Sequence, residues 1–208
     1  MITVHHLNDS RSQRILWLLE ELALPYEIKF YQRDATTRLA SPELKAVHPL
    51  GKSPVISDEH GTIAESGAIV DHLIRRHGAG RLAPAIDAPA YDAYNEWLHY
   101  AEGSAMLPLM LKMYVGRLGE AGAPLHPRIE SEIDNHMSYI DAALGSRDWL
   151  VGDDLTGADI QMSFVGEILK PLGGHGRYPA IDAWVARFQA RPAYRRALEK
   201  GGAYSFAG

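Results

Sequence analysis

Lys52-Ser53-Pro54-Val55-Ile56-Ser57-Asp58-Glu59-His60-Gly61-Thr62-Ile63-Ala64-Glu65-Ser66 holds two short β-prone runs around a polar tetrad ending in glycine, and then the start of a helix. Pro54 to Ser57 and Thr62 to Ala64 read as the arms of a hairpin turned at Asp58-Glu59-His60-Gly61. A proline at the mouth of the first arm removes one backbone donor and is able to hold a cis peptide bond in a tight turn. The N–H and C=O of Val55 are then candidates for pairing with an extended ligand backbone. Glu65 and Ser66 add a carboxylate, a hydroxyl and the unpaired N–H groups of a helix start. That set suits an α-amino acid end, where ammonium and carboxylate lie side by side. Singly, Pro54 is a turn proline and Glu65 or Ser66 a helix start. It is their order that points to a seat for a small peptide.

On the N-terminal side, Ile2 to Leu7 is short and apolar-rich, and Arg14 to Ala23 carries Ile15, Leu16, Leu18, Leu19 and Leu22 at helical spacing. Tyr26 to Tyr31 alternates Tyr26, Ile28 and Phe30, which completes a βαβ unit. After the hairpin, Ser66 to His77 places Ile69, Val70, Leu73 and Ile74 on one helical face. The first domain is therefore α/β, βαβ followed by ββα, and resembles a thioredoxin-like fold. Gly78 to Ala90 is rich in Gly, Ala and Pro and marks a linker, giving domains at residues 1–81 and 86–208.

Everything beyond the linker is helical in pattern, so the second domain is all-α. Tyr91 to Leu118 is one long amphipathic stretch that Pro108 is expected to kink or break. His126 to Leu144 stacks Ile129, Ile133, Met137, Ile140 and Leu144 at spacings of three and four. In Leu155-Thr156-Gly157-Ala158-Asp159-Ile160, Thr156 and Asp159 form a capping-box pair while Leu155 and Ile160 occupy the positions of a hydrophobic staple. This predicts a buried helix start with a folding role and no chemistry.

Composition bounds the function classes. At 46% hydrophobic and 23% charged residues, the 208-residue chain has the make-up of a water-soluble globular protein. A net charge of −5 without a long basic block argues against nucleic acid. Arg75-Arg76 and Arg195-Arg196 read as solvated helix faces. No apolar run is long enough to span a membrane, and Met1-Ile2-Thr3-Val4 lacks signal-peptide features, so a cytoplasmic address is expected. With no cysteine, the chain has no disulfide, thiolate metal site or protein thiol, and any sulfur chemistry must come from a ligand. His5 and His6 are strand neighbours pointing to opposite faces, and no metal site is expected.

Pro54-Val55 and Glu65-Ser66, in this order and ahead of a helical domain, resemble the glutathione-binding half of the cytosolic glutathione transferase family. The resemblance extends over nearly the whole chain. It implies that the residue after a cis-proline, Val55, pairs with the cysteinyl backbone of glutathione and that Glu65 and Ser66 hold its γ-glutamyl group. It implies a detoxifying homodimer that joins the glutathione thiolate to a small hydrophobic electrophile, with glutathione as co-substrate. Reduction of peroxides or disulfides with two glutathione molecules per site, and a non-catalytic glutathione-binding scaffold, are the alternatives.

Such chemistry needs a thiol with a pKa near 8.5 to ionise near neutrality, and a shift of two units requires roughly 2.7 kcal/mol of selective anion stabilisation. A hydroxyl donated to an anion contributes about 1.5 to 3 kcal/mol, and a helix start adds a fraction more. The candidate donors lie in Asn8-Asp9-Ser10-Arg11-Ser12-Gln13-Arg14. Ser10, four residues before Arg14, best matches the serine of the serine-type branches; Ser12, Asn8 and Arg11 are the alternatives. Ser10 and Gln13 also satisfy the capping-box pattern, a role compatible with donation to sulfur. Lys52, with His48 second, is the candidate partner of the glycine carboxylate. Tyr100, Ser104, Met106, Met110, Met113 and Tyr114 are the candidate wall of the electrophile site.

Overall fold

The computed structural model describes residues 1–37 and 39–207. Strand β1 (Ile2–Leu7) runs parallel to β2 (Tyr26–Tyr31) and antiparallel to β3 (Val55–Asp58), which pairs antiparallel with β4 (Gly61–Ala64). The resulting four-stranded sheet has the order β2-β1-β3-β4. Edge strand β2 exposes Glu27, Lys29 and Phe30 and buries Tyr31, and its charged residues discourage pairing with another chain.

Helix α1 (Ser12–Leu22) is buried along nearly its whole length, because it lies between the sheet and the helices of the second domain. It begins at Ser12, earlier than its apolar spacing indicates, so both candidate serines belong to the helix start. Helix α2 (Pro42–Val47) was not expected; at six residues it is too short for a periodic signal, although Ser41-Pro42-Glu43 carries an N-cap, an N1 proline and a first-turn acid. Helix α3 (Ser66–His77) has the expected bounds and closes the first domain.

In the second domain α4 (Ala90–Tyr100) and α5 (Met106–Gly116) are joined by a π-helical turn at Ala101–Ala105. The irregularity falls before Pro108, not at it. Pro108 sits in the first turn of α5, where its ring crowds the carbonyl four residues back and it offers no N–H, so the widened turn lies one turn upstream. A 3₁₀ segment (Gly119–Leu125) leads into α6 (His126–Leu144), whose bounds match the sequence reading. Helices α7 (Gly157–Leu169), α8 (Pro179–Gln189) and α9 (Pro192–Gly201) complete the domain.

α7 is buried throughout and starts as expected: Thr156 Oγ1 accepts from the Ala158 N–H at 3.3 Å, and Asp159 Oδ2 accepts from the Thr156 N–H at 3.0 Å. Asp159 also accepts from the Leu150 N–H (2.9 Å) and Trp184 Nε1–H (3.1 Å), so one carboxylate ties α7, α8 and the preceding loop. Burial pushes its carboxyl up, against the pull of those donors.

The two domains are joined along α1. Glu20 pairs with Arg196 at 2.7 Å and with Lys200, and Glu21 takes Arg191 at 2.6 and 2.9 Å. Arg196 is thus a clamp across the domain junction and not merely part of a solvated face. Gly201 meets α1 so closely that an added Cβ would lie 2.8 Å from Gln13 Oε1 and Leu16 Cδ1. Among the described residues no helix is long and apolar enough to cross a membrane.

Candidate active site

The end of β1, the start of α1 and the Ser53–Pro54 turn converge on a chain of buried hydroxyl groups. Ser10 Oγ lies 2.8 Å from Ser12 Oγ, and Ser12 Oγ lies 2.8 Å from Nδ1 of His6. Ser10 Oγ also accepts from the Ser12 N–H at 3.2 Å and stands 3.5 Å from Ser53 Oγ, whose hydroxyl donates to the His5 carbonyl at 2.9 Å. Burial lowers the His6 pKa to about 4, against a smaller opposing effect of a hydrogen bond to the Gly201 carbonyl. The ring is therefore neutral at pH 7, and the pull of the Gly201 backbone on its far side assigns the ring proton there and the acceptor role to Nδ1.

That tautomer sets the direction of the chain. Ser12 donates its only hydroxyl hydrogen to His6 and is 0% exposed. Its lone pairs remain for the Leu7 N–H at 3.3 Å and for Ser10. Ser10, 4% exposed, therefore donates its one hydrogen to Ser12 and is the outermost hydroxyl, the one whose hydrogen can turn toward a ligand. The capping box expected of Ser10 and Gln13 does not form: Gln13 N–H donates to the Ser10 carbonyl at 3.2 Å, and among the described residues both polar atoms of the buried Gln13 side chain have no hydrogen-bond partner. The sequence shows His6 only as one of an adjacent histidine pair, since its role stands out only once the strand brings it against the helix start.

The other candidates occupy different positions. Asn8 Oδ1 accepts from the Arg33 N–H at 3.0 Å, so it braces the loop. Arg11 Nε meets both oxygens of Glu102, at 2.7 and 2.8 Å, and its guanidinium lies over the Phe164 ring at 4.9 Å. Arg14, fully buried, donates to the same carboxylate at 2.9 Å and to the Gln161 carbonyl. The Ser53–Pro54 peptide is cis, as the sequence allowed.

Val55 does not fit its expected role. It pairs with His5 in β1 and Ala64 in β4, so β3 has no free edge there to receive a peptide. Ser53, just outside the ladder, makes no backbone–backbone hydrogen bond among the described residues. Lys52 is exposed, whereas His48 ends α2 with Nδ1 buried and, among the described residues, without a hydrogen-bond partner.

Glu65 precedes α3 with φ of 69°, a left-handed conformation that costs a non-glycine residue on the order of 1–3 kcal/mol. Ser66 is buried and accepts from Gln161 Nε2 at 3.2 Å. Both stand at the N-terminal turn of α3, where free N–H groups favour a carboxylate. Glu65 lines a cleft of about 620 Å³ between α3 and α4, with Asp71, Asn95, His99, Glu102 and Gln161 among its walls.

The six candidate electrophile residues do not form one wall. Met106 is buried in the core, and Met110 and Met113 pack partly against it. Tyr100 reaches α6, where its hydroxyl meets His136 Nδ1 at 2.6 Å, and Tyr114 is exposed beside Arg117. Ser104 lies in the π-helical turn. On one amphipathic helix these residues looked continuous, and the widened turn changes their register.

A thioredoxin-like domain with a cis-proline turn and a serine-bearing helix start, docked on an all-helical domain, defines the architecture. Residues 1–75 match the family model of the glutathione S-transferase N-terminal domain, and residues 101–192 that of the C-terminal domain. The chain belongs to the glutathione S-transferase family. It is 35% identical to Glutathione S-transferase 3 of Schizosaccharomyces pombe, over 96% of this chain and 88% of that protein. The crystal structure of a glutathione S-transferase from Actinobacillus pleuropneumoniae is 36% identical and superposes with a TM-score of 0.90, covering 99% of this chain and 95% of that one. A family member from Pseudomonas fluorescens with two glutathione bound is 29% identical, with a TM-score of 0.80 over 95% and 92% of the two chains.

Proposed function

We propose that this protein binds glutathione, holds its thiol as a thiolate with the Ser10 hydroxyl, and joins that sulfur to a small hydrophobic electrophile. The observation that carries the reading is the direction of the hydroxyl chain. Ser12 gives its hydrogen to His6, so Ser10 donates to Ser12 in the free chain, and its hydrogen is the one a bound thiolate can draw away by rotation of the hydroxyl. The solved relative with two glutathione bound supports the choice of ligand.

In this reading the γ-glutamyl end takes Glu65, Ser66 and the N-terminal turn of α3, the cysteinyl backbone takes Ser53 beside Pro54, and the glycine carboxylate takes Lys52. The thiol proton leaves to solvent. His6 is too weak a base to receive it, because a thiol ionising near 6.5 exceeds an imidazole near 4 by about 3 kcal/mol. The thiolate attacks the electrophilic carbon, a C–S bond forms, and the leaving group departs with its electron pair. Ser10 contributes electrostatic stabilisation, not proton transfer.

The test is turnover of glutathione with an activated aryl halide, followed by thioether formation. Saturable turnover that falls about 10- to 100-fold in Ser10→Ala at pH 7 is the expected result. Glutathione binding without thioether formation would contradict the transferase reading.

A further inference from the structure

At the opposite end of the hairpin from Pro54, Asp58, His72 and His77 offer ligand atoms that all lie within 4.8 Å of one another. We propose that they form a divalent transition-metal site, with Zn²⁺ the ion that fits best. His72 Nε2 stands 2.8 Å from Asp58 Oδ2, and neither side chain is more than marginally exposed. Asp58 Oδ1 accepts the His60 N–H at 2.8 Å, which orients the carboxylate. Nε2 of His77 is buried and has no hydrogen-bond partner among the described residues. The His72 ring is flanked by His60 at 6.0 Å and His77 at 6.4 Å between centroids.

Two imidazoles and one carboxylate are the donor set of open tetrahedral zinc sites, with bonds of about 2.0–2.2 Å and ligand atoms about 3.4 Å apart. Reaching that spacing takes side-chain shifts of roughly 1 Å. A cation would replace the His72–Asp58 hydrogen bond, its two heavy atoms moving apart to bind the ion. A water, or His60 after releasing the Arg76 contact its Nε2 makes at 3.3 Å, fills the fourth position. Nitrogen and oxygen donors without thiolate also admit Co²⁺, Ni²⁺ and Cu²⁺. Sequence spacing hides the site, because Asp58 belongs to the hairpin and the two histidines to α3, five positions apart.

The ion would clamp the β3–β4 turn to the C-terminal end of α3. β3 separates it from Pro54 by about 13 Å of strand, and α3 separates His72 and His77 from Ser66 by about 9 and 17 Å of helix. Its role is structural and independent of the thiolate proposal.

The experiment is calorimetric titration of Zn²⁺ into the metal-free full-length protein, without glutathione, in native form and in His77→Ala. One ion per chain at micromolar affinity or tighter, weakened at least about tenfold in a His77→Ala protein that keeps its metal-free Tm, is expected. Absence of binding at such affinity, or equal binding by the variant, would overturn the site. Co²⁺ absorbance of the native chain tests it without any variant: an intense tetrahedral visible band supports the site, and the weak band of an octahedral aqua ion, or no band, overturns it.

Discussion

Ser12 and His6 share a buried hydrogen bond of 2.8 Å whose direction is set from the far side of the imidazole, where the ring meets the Gly201 carbonyl at the end of α9. The second domain thereby holds the Ser12 hydrogen on His6 and leaves the Ser10 hydrogen, donated to Ser12 in the free chain, as the one a ligand can redirect. This relationship underlies the assignment of Ser10 and makes His6 a positioning residue.

His6 also links stability to pH. Its folded pKa of about 4 lies below its ordinary value of 6.5, so the unfolded chain binds more protons between these limits. The neutral ring's contribution is complete above about pH 6.5 and is lost as pH falls toward 4, by about 3 kcal/mol. Denaturant midpoints measured across that window should fall steeply in the native chain. In His6→Gln, which keeps an acceptor for Ser12, the decline should be shallower, and an equal slope would place the acid sensitivity elsewhere.

Asp159 is expected to matter more than the cap it completes. Thr156→Ala removes one capping oxygen and should cost about 1 kcal/mol. Asp159→Ala strips acceptors from the buried Leu150 and Thr156 N–H groups and from Trp184 Nε1–H, and should cost about 2–4 kcal/mol. Chemical denaturation measures both, and turnover per folded molecule should be unchanged in Thr156→Ala.

Glu102 neutralises two arginines of unequal burial, with Arg14 1% and Arg11 25% exposed at the side chain. Glu102→Gln leaves the buried Arg14 charge without its counterion and should destabilise by about 3 kcal/mol. Arg11→Ala removes a partly solvated partner and should cost about 1 kcal/mol or less. Urea unfolding of the two variants tests the order, and equal losses would contradict it.

The sequence carried the elements whose signals are local. The strand Ile2–Leu7, the hairpin, α3, α6 and the Thr156–Asp159 cap follow from periodicity, turn residues and capping chemistry. α2 was too short for periodicity, and the π-helical turn depends on how a chain accommodates Pro108, which propensity does not specify. At the candidate site, Ser10, Ser12, Pro54, Glu65 and Ser66 were legible because loop and cap residues advertise themselves. His6 was read only as half of an adjacent histidine pair, and Val55 was assigned without knowing that both neighbouring strands would occupy it. Both outcomes depend on contacts between residues distant in sequence.

The most direct measurement is the pH titration of the thiol of protein-bound glutathione by ultraviolet difference absorbance, in the native chain, Ser10→Ala and Ser12→Ala. The account predicts a bound thiol ionising about two units below its free value of roughly 8.5, reverting in Ser10→Ala and keeping most of its shift in Ser12→Ala. An unshifted thiol in the native protein, or reversion in Ser12→Ala alone, would contradict it.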